Sequence, residues 1–190
     1  LGRRNLIING AMQVAQRGTS VSGVTSTGYR TVDRFNINID VGTFTISQDS
    51  DSPSDFSTSL KLDCTTAGTA SSTQWVGFSY AVEAQDCQQL AYGSSDAKSL
   101  TLSFWVKSNQ TGTGRITWYQ EDDNRGNGSQ YTINSADTWE KKTVTITGDT
   151  TGVIDNNNGR GLDIYFPFYS GSGMTSGSTP TSWEAYAVTD

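Results

Sequence analysis

Five aromatic side chains are the strongest candidates for a chemical role in this sequence. If even-numbered residues of the predicted strands face the core, odd-numbered aromatics point the other way, because successive strand side chains alternate between faces. These outward residues are Trp75, Trp105, Tyr119, Tyr165 and Tyr169. An aromatic ring stacks well on the C–H-rich face of a sugar, and neighbouring Asn, Gln and Asp side chains can bond its hydroxyl groups. Exposed apolar patches also mark loop or subunit contacts, so the pattern predicts a carbohydrate-binding surface or an interface.

Acidic side chains are the other candidates for chemistry. A glycosidase requires two carboxyl groups about 5–10 Å apart. Nothing in the sequence brings two acids together, since two of the candidates belong to a predicted hairpin tip and another ends a predicted strand. We therefore predict no enzymatic activity. The acids considered are Glu83, Glu121, Asp122, Asp123 and Glu184.

Histidine is missing from the sequence. Its absence excludes the Ser-His-Asp and Cys-His nucleophile schemes and ordinary zinc sites. The acid- and Asn-rich segments 122–124 and 155–158 offer oxygen ligands that calcium accepts, but neither has the spacing of an EF-hand, and Asn-rich turns explain both. We predict neither a metal nor a cofactor.

The two cysteines, Cys64 and Cys87, allow two interpretations. They could form a disulfide between neighbouring segments, or they could be buried thiols that pack as small hydrophobic groups. Cys64 continues the inward parity of Leu60 and Leu62, and no secretory context is visible, so buried thiols are favoured.

Composition narrows the class of protein. The chain has 190 residues, of which 34% are hydrophobic and 17% charged, and it contains eight Tyr, seven Phe and five Trp. This aromatic content argues against disorder. The net charge is −6. Because an acidic chain does not neutralise the phosphates of nucleic acid, we predict no nucleic-acid partner. We also predict no membrane partner, because no apolar run approaches the ~20 residues of a spanning helix.

Residues 99–107 carry the clearest structural pattern. Leu100, Leu102, Phe104 and Val106 alternate with polar or outward residues, which predicts a strand with one buried face. We interpret it as a central strand. About nine or ten such strands with turn signals between them indicate a single all-β sandwich or barrel over residues 1–190.

Several local patterns supplement that prediction. They predict short strands at 6–8 and 12–14, a hairpin across Gly42, a short helical turn within 84–92 ended by Gly93, a hairpin over 115–133 with its tip at 122–129, and a short strand within 182–188.

Segments spread over nearly the whole chain resemble, in the same order, a domain common in tail-fibre and other virion proteins of bacteriophages, especially marine ones. These segments are 5–12 (Asn-Leu-Ile-Ile-Asn-Gly-Ala-Met), 16–20, Tyr29, 33–35, 59–67, 98–109, 139–146 and 148–152. The fold of that domain is similar to the jelly-roll β-sandwich of carbohydrate-binding modules, whose chains often also start Asn-Leu-x-x-Asn-Gly. The resemblance therefore implies a jelly-roll-like antiparallel sandwich with at most one short helix.

The same resemblance implies a role in a virion. Members of this family are mostly described only as tail-fibre-like or virion structural proteins, and their domain continues with a further strand that this sequence does not show after Asp190. We expect a piece of a longer fibre polypeptide. Its expected partners are a host surface glycan, other virion proteins and, since fibres are generally trimeric, two further copies of itself. The alternative is a purely structural virion component, a capsid decoration or fibre-assembly domain, that binds no glycan.

Overall fold

A computed structural model describes residues 5–175 and 177–187. Strands make up 45% of it and helices 5%, and the strands form antiparallel sheets that pack together. The predicted all-β, jelly-roll-like sandwich is thereby confirmed, as is the prediction of little helix. No helix among these residues is long and apolar enough to cross a membrane.

Twelve strands are present in the described residues. They are β1 (Ser20–Val24), β2 (Gly28–Tyr29), β3 (Phe35–Ile39), β4 (Thr43–Asp49), β5 (Ser59–Thr66), β6 (Trp75–Glu83), β7 (Leu100–Val106), β8 (Gly112–Gln120), β9 (Arg125–Ile133), β10 (Glu140–Ile146), β11 (Arg160–Ser170) and β12 (Glu184–Ala185). One α-helical turn, α1 (Ala84–Cys87), runs into a 3₁₀ turn at Gln88–Leu90, and a second 3₁₀ turn lies at Ser172–Met174.

Two compact units divide the described chain. The N-terminal unit consists of Ile7–Tyr80 and Pro167–Met174. The C-terminal unit contains Ala81–Phe166 together with the described residues at both ends of the chain. This division into compact units does not test the predicted single domain over residues 1–190, which stays a prediction.

The N-terminal unit has its own hydrophobic core between strands of two sheets. One sheet has the order β1-β4-β5, and in the other β3 pairs with both β2 and β6. Alternation along β3 turns every second residue inward, as predicted. The buried residues of this core are Val24, Ile37, Ile39, Ile46 and Val76.

The predicted hairpin across Gly42 is wrong. Strands β3 and β4 belong to different sheets, so the chain crosses from one sheet to the other between them. Gly42 makes that corner possible with a φ of +80°, and a Cβ there would lie 2.9 Å from the carbonyl oxygen of Thr66. Glycine occupies this position because other residues rarely adopt that backbone conformation and lack room for a side chain.

The residues that carry the resemblance near the N-terminus bond to one another. The Asn9 side-chain amide donates to the carbonyls of Val14 (2.9 Å) and Asp33 (3.0 Å), and Asn9 Oδ1 accepts from Val14 N (3.0 Å). The Asp33 carboxylate accepts from Gln16 N (3.2 Å) and Arg17 Nη1 (3.3 Å). This motif therefore has a structural role, which is to fasten the N-terminal segment to the turn before β3.

This fastening explains why the predicted short strands at 6–8 and 12–14 are wrong. Residues 8–11 form a turn, and residues 6–7 and 12–14 have no regular secondary structure. Asn9 and Met12 have φ values of 60° and 56°, which an extended strand does not allow. The side-chain bonds of Asn9 take the place of strand pairing.

Replacing Asn9 with alanine should lower the free energy of unfolding by about 1–2 kcal/mol, because three hydrogen bonds are lost and alanine adopts a positive φ at a cost. Urea denaturation of the full chain measures the change. Asn9→Gly is the matched control, since glycine keeps the backbone conformation and loses only the bonds, so it should cost less. Equal stability of all three proteins would contradict the structural role of the motif.

The C-terminal unit also consists of two facing sheets. One is the antiparallel pair β10-β7, and the other includes the strands β12, β9, β8 and β11 in that order. Phe104 of β7 packs edge-on against Tyr131 of β9 (ring centroids 5.1 Å apart) and Phe166 of β11 (5.4 Å). The inward face predicted for residues 100–106 is therefore confirmed.

The prediction that this strand is central is wrong. Among the described residues β7 pairs with β10 alone, so it is an edge strand. Alternation reports one buried face and says nothing about the number of neighbouring strands. The outer face of the pair carries hydroxyl groups that bond across it, Thr101 to Thr145 (2.9 Å) and Ser103 to Thr143 (3.0 Å).

The predicted hairpin over 115–133 is confirmed, but its tip is shorter than expected. Strands β8 and β9 pair continuously from Gly112↔Ile133 to Gln120↔Arg125, which leaves a four-residue turn. The glycine-rich residues that follow are part of β9. A Cβ at Gly126 would lie 2.9 Å from Tyr186 Cδ2, and one at Gly128 would collide with Thr179 Cγ2. These glycines make room for the C-terminal segment.

The helical turn predicted within 84–92 is also confirmed. It ends at Ala91, whose φ is 54° and whose N–H bonds the carbonyl of Gln88. Gly93 was predicted to end the turn. The left-handed residue that ends it is Ala91, two positions earlier. Gly93 has a positive φ as well, of 82°.

The two cysteines are both free thiols. Cys87 is buried, as expected, and burial raises the pKa of its thiol to about 12. Cys64 is exposed, so the prediction that it packs inward is wrong. The last four residues of β5, 63–66, are all exposed, which shows that the alternating pattern continues beyond the buried part of this strand.

Glu140 closes the turn between β9 and β10. Its Oε1 accepts from the backbone N–H groups of Asn134 (2.8 Å) and Ser135 (2.9 Å), and its Oε2 from the Asn134 side chain (2.7 Å) and Lys142 Nζ (2.6 Å). The bond from Lys142, with those from Ser135 and Asn134, lowers the pKa of Glu140 to about 2.

A carboxyl group whose pKa falls on folding stabilises the protein above its ordinary pKa, and this contribution disappears as the pH drops through the folded value. Glu140→Gln should therefore be less stable than the unchanged protein at pH 7, and the difference should shrink between pH 4.5 and about 2. Urea midpoints at pH 7, 4 and 3 measure it. Glu184→Gln on exposed β12 is the control, and a pH-independent difference would contradict the role of the carboxylate.

Candidate functional site

Two of the five predicted aromatics lie together on one face of the C-terminal unit. The register of β8 and β11 sets Tyr119 opposite Asp163 and Thr117 opposite Tyr165. The ring centroids of Tyr119 and Tyr165 are 6.4 Å apart, and both side chains are partly exposed. Their outward position agrees with the alternation of the two strands.

A third ring, Tyr186, joins them. Its centroid lies 4.8 Å from that of Tyr119, and its N–H bonds the Asn124 carbonyl (3.0 Å) just after β12 pairs with β9. Sequence reasoning missed Tyr186, because a strand of two residues has no alternation to detect. We call Tyr119, Tyr165 and Tyr186 the tyrosine cluster.

An ion-paired group lies beside the tyrosine cluster. Arg160 donates from Nη1 to Asp163 Oδ2 (2.7 Å) and from Nη2 to Glu121 Oε1 (3.0 Å). The Tyr165 hydroxyl donates to the same Asp163 oxygen (3.0 Å). One hydroxyl and one guanidinium therefore fix the Asp163 carboxylate next to the rings. We call Glu121, Arg160 and Asp163 the carboxylate–arginine group.

Exposure differs sharply within the carboxylate–arginine group. The Arg160 side chain is 55% exposed and that of Glu121 is 38% exposed, whereas that of Asp163 is 1% exposed. Asp163 Oδ1 and Glu121 Oε2 are buried atoms without a hydrogen-bond donor among the described residues. The site thus has a solvated rim of Arg160 and Glu121, a buried carboxylate and two buried acceptor atoms that no described donor satisfies.

Burial shapes the ionisation of the site. It raises the pKa of Asp163, against the opposing effect of Arg160. It also raises the pKa values of Tyr119 and Tyr165, with further increases from the nearby carboxylates. Both tyrosines therefore stay protonated at neutral pH. Tyr165 donates to Asp163, and the Tyr119 hydroxyl donates to Asn124 Oδ1 (3.0 Å).

A buried ion pair holds the segment that carries Tyr186. Arg125 Nε lies 2.6 Å from Asp149 Oδ2, and the side chains are 19% and 2% exposed. Arg125 Nη2 also donates to the Trp183 carbonyl (3.0 Å), and the Trp183 indole donates to the Thr147 carbonyl (2.8 Å). Because Trp183 is three residues before Tyr186, this pair helps to position the third ring.

The other three predicted aromatics lie elsewhere in the fold. Trp105 is on the β10-β7 sheet, opposite Lys141. Trp75 and Tyr169 belong to the N-terminal unit. There Trp75 N donates to Asp40 Oδ2 (3.1 Å), and Tyr169 is 46% exposed. Of the predicted set, Tyr119 and Tyr165 are in ring contact with each other.

The acids of the hairpin tip serve the backbone. Asp122 Oδ2 accepts from Asp155 N (3.0 Å), and Asp123 Oδ2 accepts from Val153 N (2.7 Å). These carboxylates tie the β8–β9 turn to the loop before β11. Residues 5–175 and 177–187 hold no group of three or more His, Cys, Asp or Glu arranged for a metal ion.

Comparison with protein-family models finds no match for this chain, and no curated protein is significantly similar to it.

Proposed function

We propose that this chain is a non-enzymatic tail-fibre or related virion domain of a bacteriophage, and that its C-terminal unit binds carbohydrate on the host cell surface. The observation that carries the binding role is the tyrosine cluster beside the carboxylate–arginine group. It offers partly exposed aromatic rings for stacking and a rim of charged hydrogen-bonding groups for hydroxyls. The proposed phage and fibre origin is supported by the resemblance of segments such as 5–12, 16–20 and 33–35 to the tail-fibre and virion domain described above.

Binding without turnover agrees with the charges of the site. Glycoside hydrolysis requires one carboxylic acid that donates a proton and a second carboxylate across the bond. Here Arg160 bonds both Glu121 and Asp163, so the two acids share one cation on the same side. In a trimeric fibre, one bound site raises the effective concentration of the glycan at the other two sites. The overall avidity would therefore exceed the affinity of a single weak site.

A structural virion role is the second candidate, and the surface of the N-terminal unit favours it. Large exposed apolar side chains on a protein often mark subunit contacts. This unit exposes Ile8, Val14, Tyr29, Phe56, Phe168 and Tyr169. In this role the apolar residues contact other copies or other virion proteins.

One experiment separates the two roles. The purified chain is applied to a microbial glycan array, and its mass in solution is measured by light scattering. Selective binding of one glycan class is the expected result. A folded trimer that binds no glycan would overturn the recognition role and favour the structural one.

A further inference from the structure

We infer that the site prefers sugars that carry a free, protonated amine over their neutral counterparts, and disfavours sugars that carry a carboxylate. This inference deepens the proposed carbohydrate binding and rests on it. It follows from the charges, the unused acceptor atoms and the rings of one small surface.

The charge balance of the carboxylate–arginine group is negative. Two carboxylates, Glu121 and Asp163, share the single guanidinium of Arg160. The same three residues are the charged groups that act on the Tyr119 hydroxyl. With both acids ionised, the carboxylate–arginine group has one negative charge in excess. A cationic ligand is attracted to it and an anionic one is repelled.

The hydrogen-bonding atoms that stay unpaired in this group are acceptors. Glu121 Oε2 and Asp163 Oδ1 are buried and lack a donor among the described residues, so their negative charge is not offset by a hydrogen bond. The Asp163 side chain is 1% exposed, and its other oxygen is fixed by Arg160 and Tyr165, so the carboxylate cannot turn away from the cluster. An ammonium group brings three donors and no acceptor. A ligand carboxylate brings only acceptors.

The two acids have different parts in this arrangement. Glu121 is 38% exposed, so an ammonium group can reach it from solvent. Asp163 lies beneath and adds a second negative charge. The neutral tyrosine rings add an attraction of their own, because the face of an aromatic ring favours a cation. An N-acetylated sugar keeps the ring stacking but lacks the charge.

The test is calorimetric titration of the full chain with four trisaccharides: β-1,4-linked glucosamine, its N-acetylated form, the glucose equivalent and a glucuronate equivalent. At pH 6 and low salt, the free amine should bind at least tenfold more tightly than the N-acetylated form, and glucuronate should bind most weakly. Both ligands of the central comparison are measured on the unchanged protein, so the result does not depend on a variant folding.

Glu121→Gln sharpens the test. It should reduce the preference for the amine, measured as the ratio of the amine and N-acetyl affinities of the variant itself, to less than threefold. Asp96→Asn, the same loss of one charge on an exposed part of the same unit, should leave the preference unchanged. Binding of the sugars without a preference for the amine would overturn this inference and leave the proposed function standing. Failure of every sugar and every array glycan to bind would overturn both.

Discussion

Replacing Tyr119 with alanine should weaken binding of the best array glycan by 10- to 100-fold, about 1.4–2.8 kcal/mol. Tyr119 is the central ring of the tyrosine cluster, since it contacts both Tyr165 and Tyr186. Tyrosines with such a position commonly dominate a binding energy. Calorimetry with the purified chain measures the loss, and circular dichroism establishes that the variant is folded.

Two further variants make this result specific. Tyr119→Phe keeps the ring and removes only the hydroxyl bond to Asn124, so it should weaken binding less than fivefold. Trp105→Ala removes a predicted aromatic from the other sheet of the unit and should leave the affinity unchanged. The reverse pattern, with Trp105→Ala losing binding and Tyr119→Ala retaining it, would move the site to the outer face of β7 and β10.

The largest effect on stability is expected at Asp149. Asp149→Ala should lower the free energy of unfolding by about 3–5 kcal/mol, because it leaves the Arg125 guanidinium buried without its partner. The Asp149 side chain is 2% exposed, so water does not replace the lost carboxylate. It also accepts from Thr151 N (2.9 Å). Urea unfolding followed by tryptophan fluorescence measures the change.

The double variant Arg125→Met with Asp149→Leu distinguishes two causes of destabilisation. It removes the ion pair without leaving a buried charge unpaired. Replacing both members of a buried ion pair with apolar side chains often costs little, so the double variant should recover much of the stability lost in Asp149→Ala. Its glycan affinity should stay below that of the unchanged protein, because residue 125 no longer bonds the Trp183 carbonyl. A loss below 1 kcal/mol in Asp149→Ala would contradict the description of the pair as buried.

Alternation along single strands predicted the buried faces of several strands, although it placed Cys64 inward wrongly. It correctly placed Ile37 and Phe104 inside, and it turned Tyr119 and Tyr165 away from the core. These features depend on the twofold period of a strand, which a short stretch of sequence contains. The turn at 84–92 was predictable for the same reason, since it also rests on neighbouring residues.

Features that depend on distant parts of the chain were missed. The partners of β7 are not encoded in its own residues, so its edge position had no local signal. Gly126 and Gly128 resemble turn residues until the C-terminal segment is seen packed against them. Tyr186 is brought to the site by that packing and by the buried Arg125–Asp149 pair. One of the three rings of the tyrosine cluster therefore depends on contacts between distant parts of the chain.

The contrast between the two thiols has a practical consequence for spectroscopy. Cys64 is open to solvent, whereas Cys87 is buried and its thiol pKa is raised to about 12. Since the thiolate is the reactive form, a maleimide dye at neutral pH should attach to the native chain at one position. A single fluorophore on β5 would make energy-transfer measurements on the assembled protein possible without removing either cysteine.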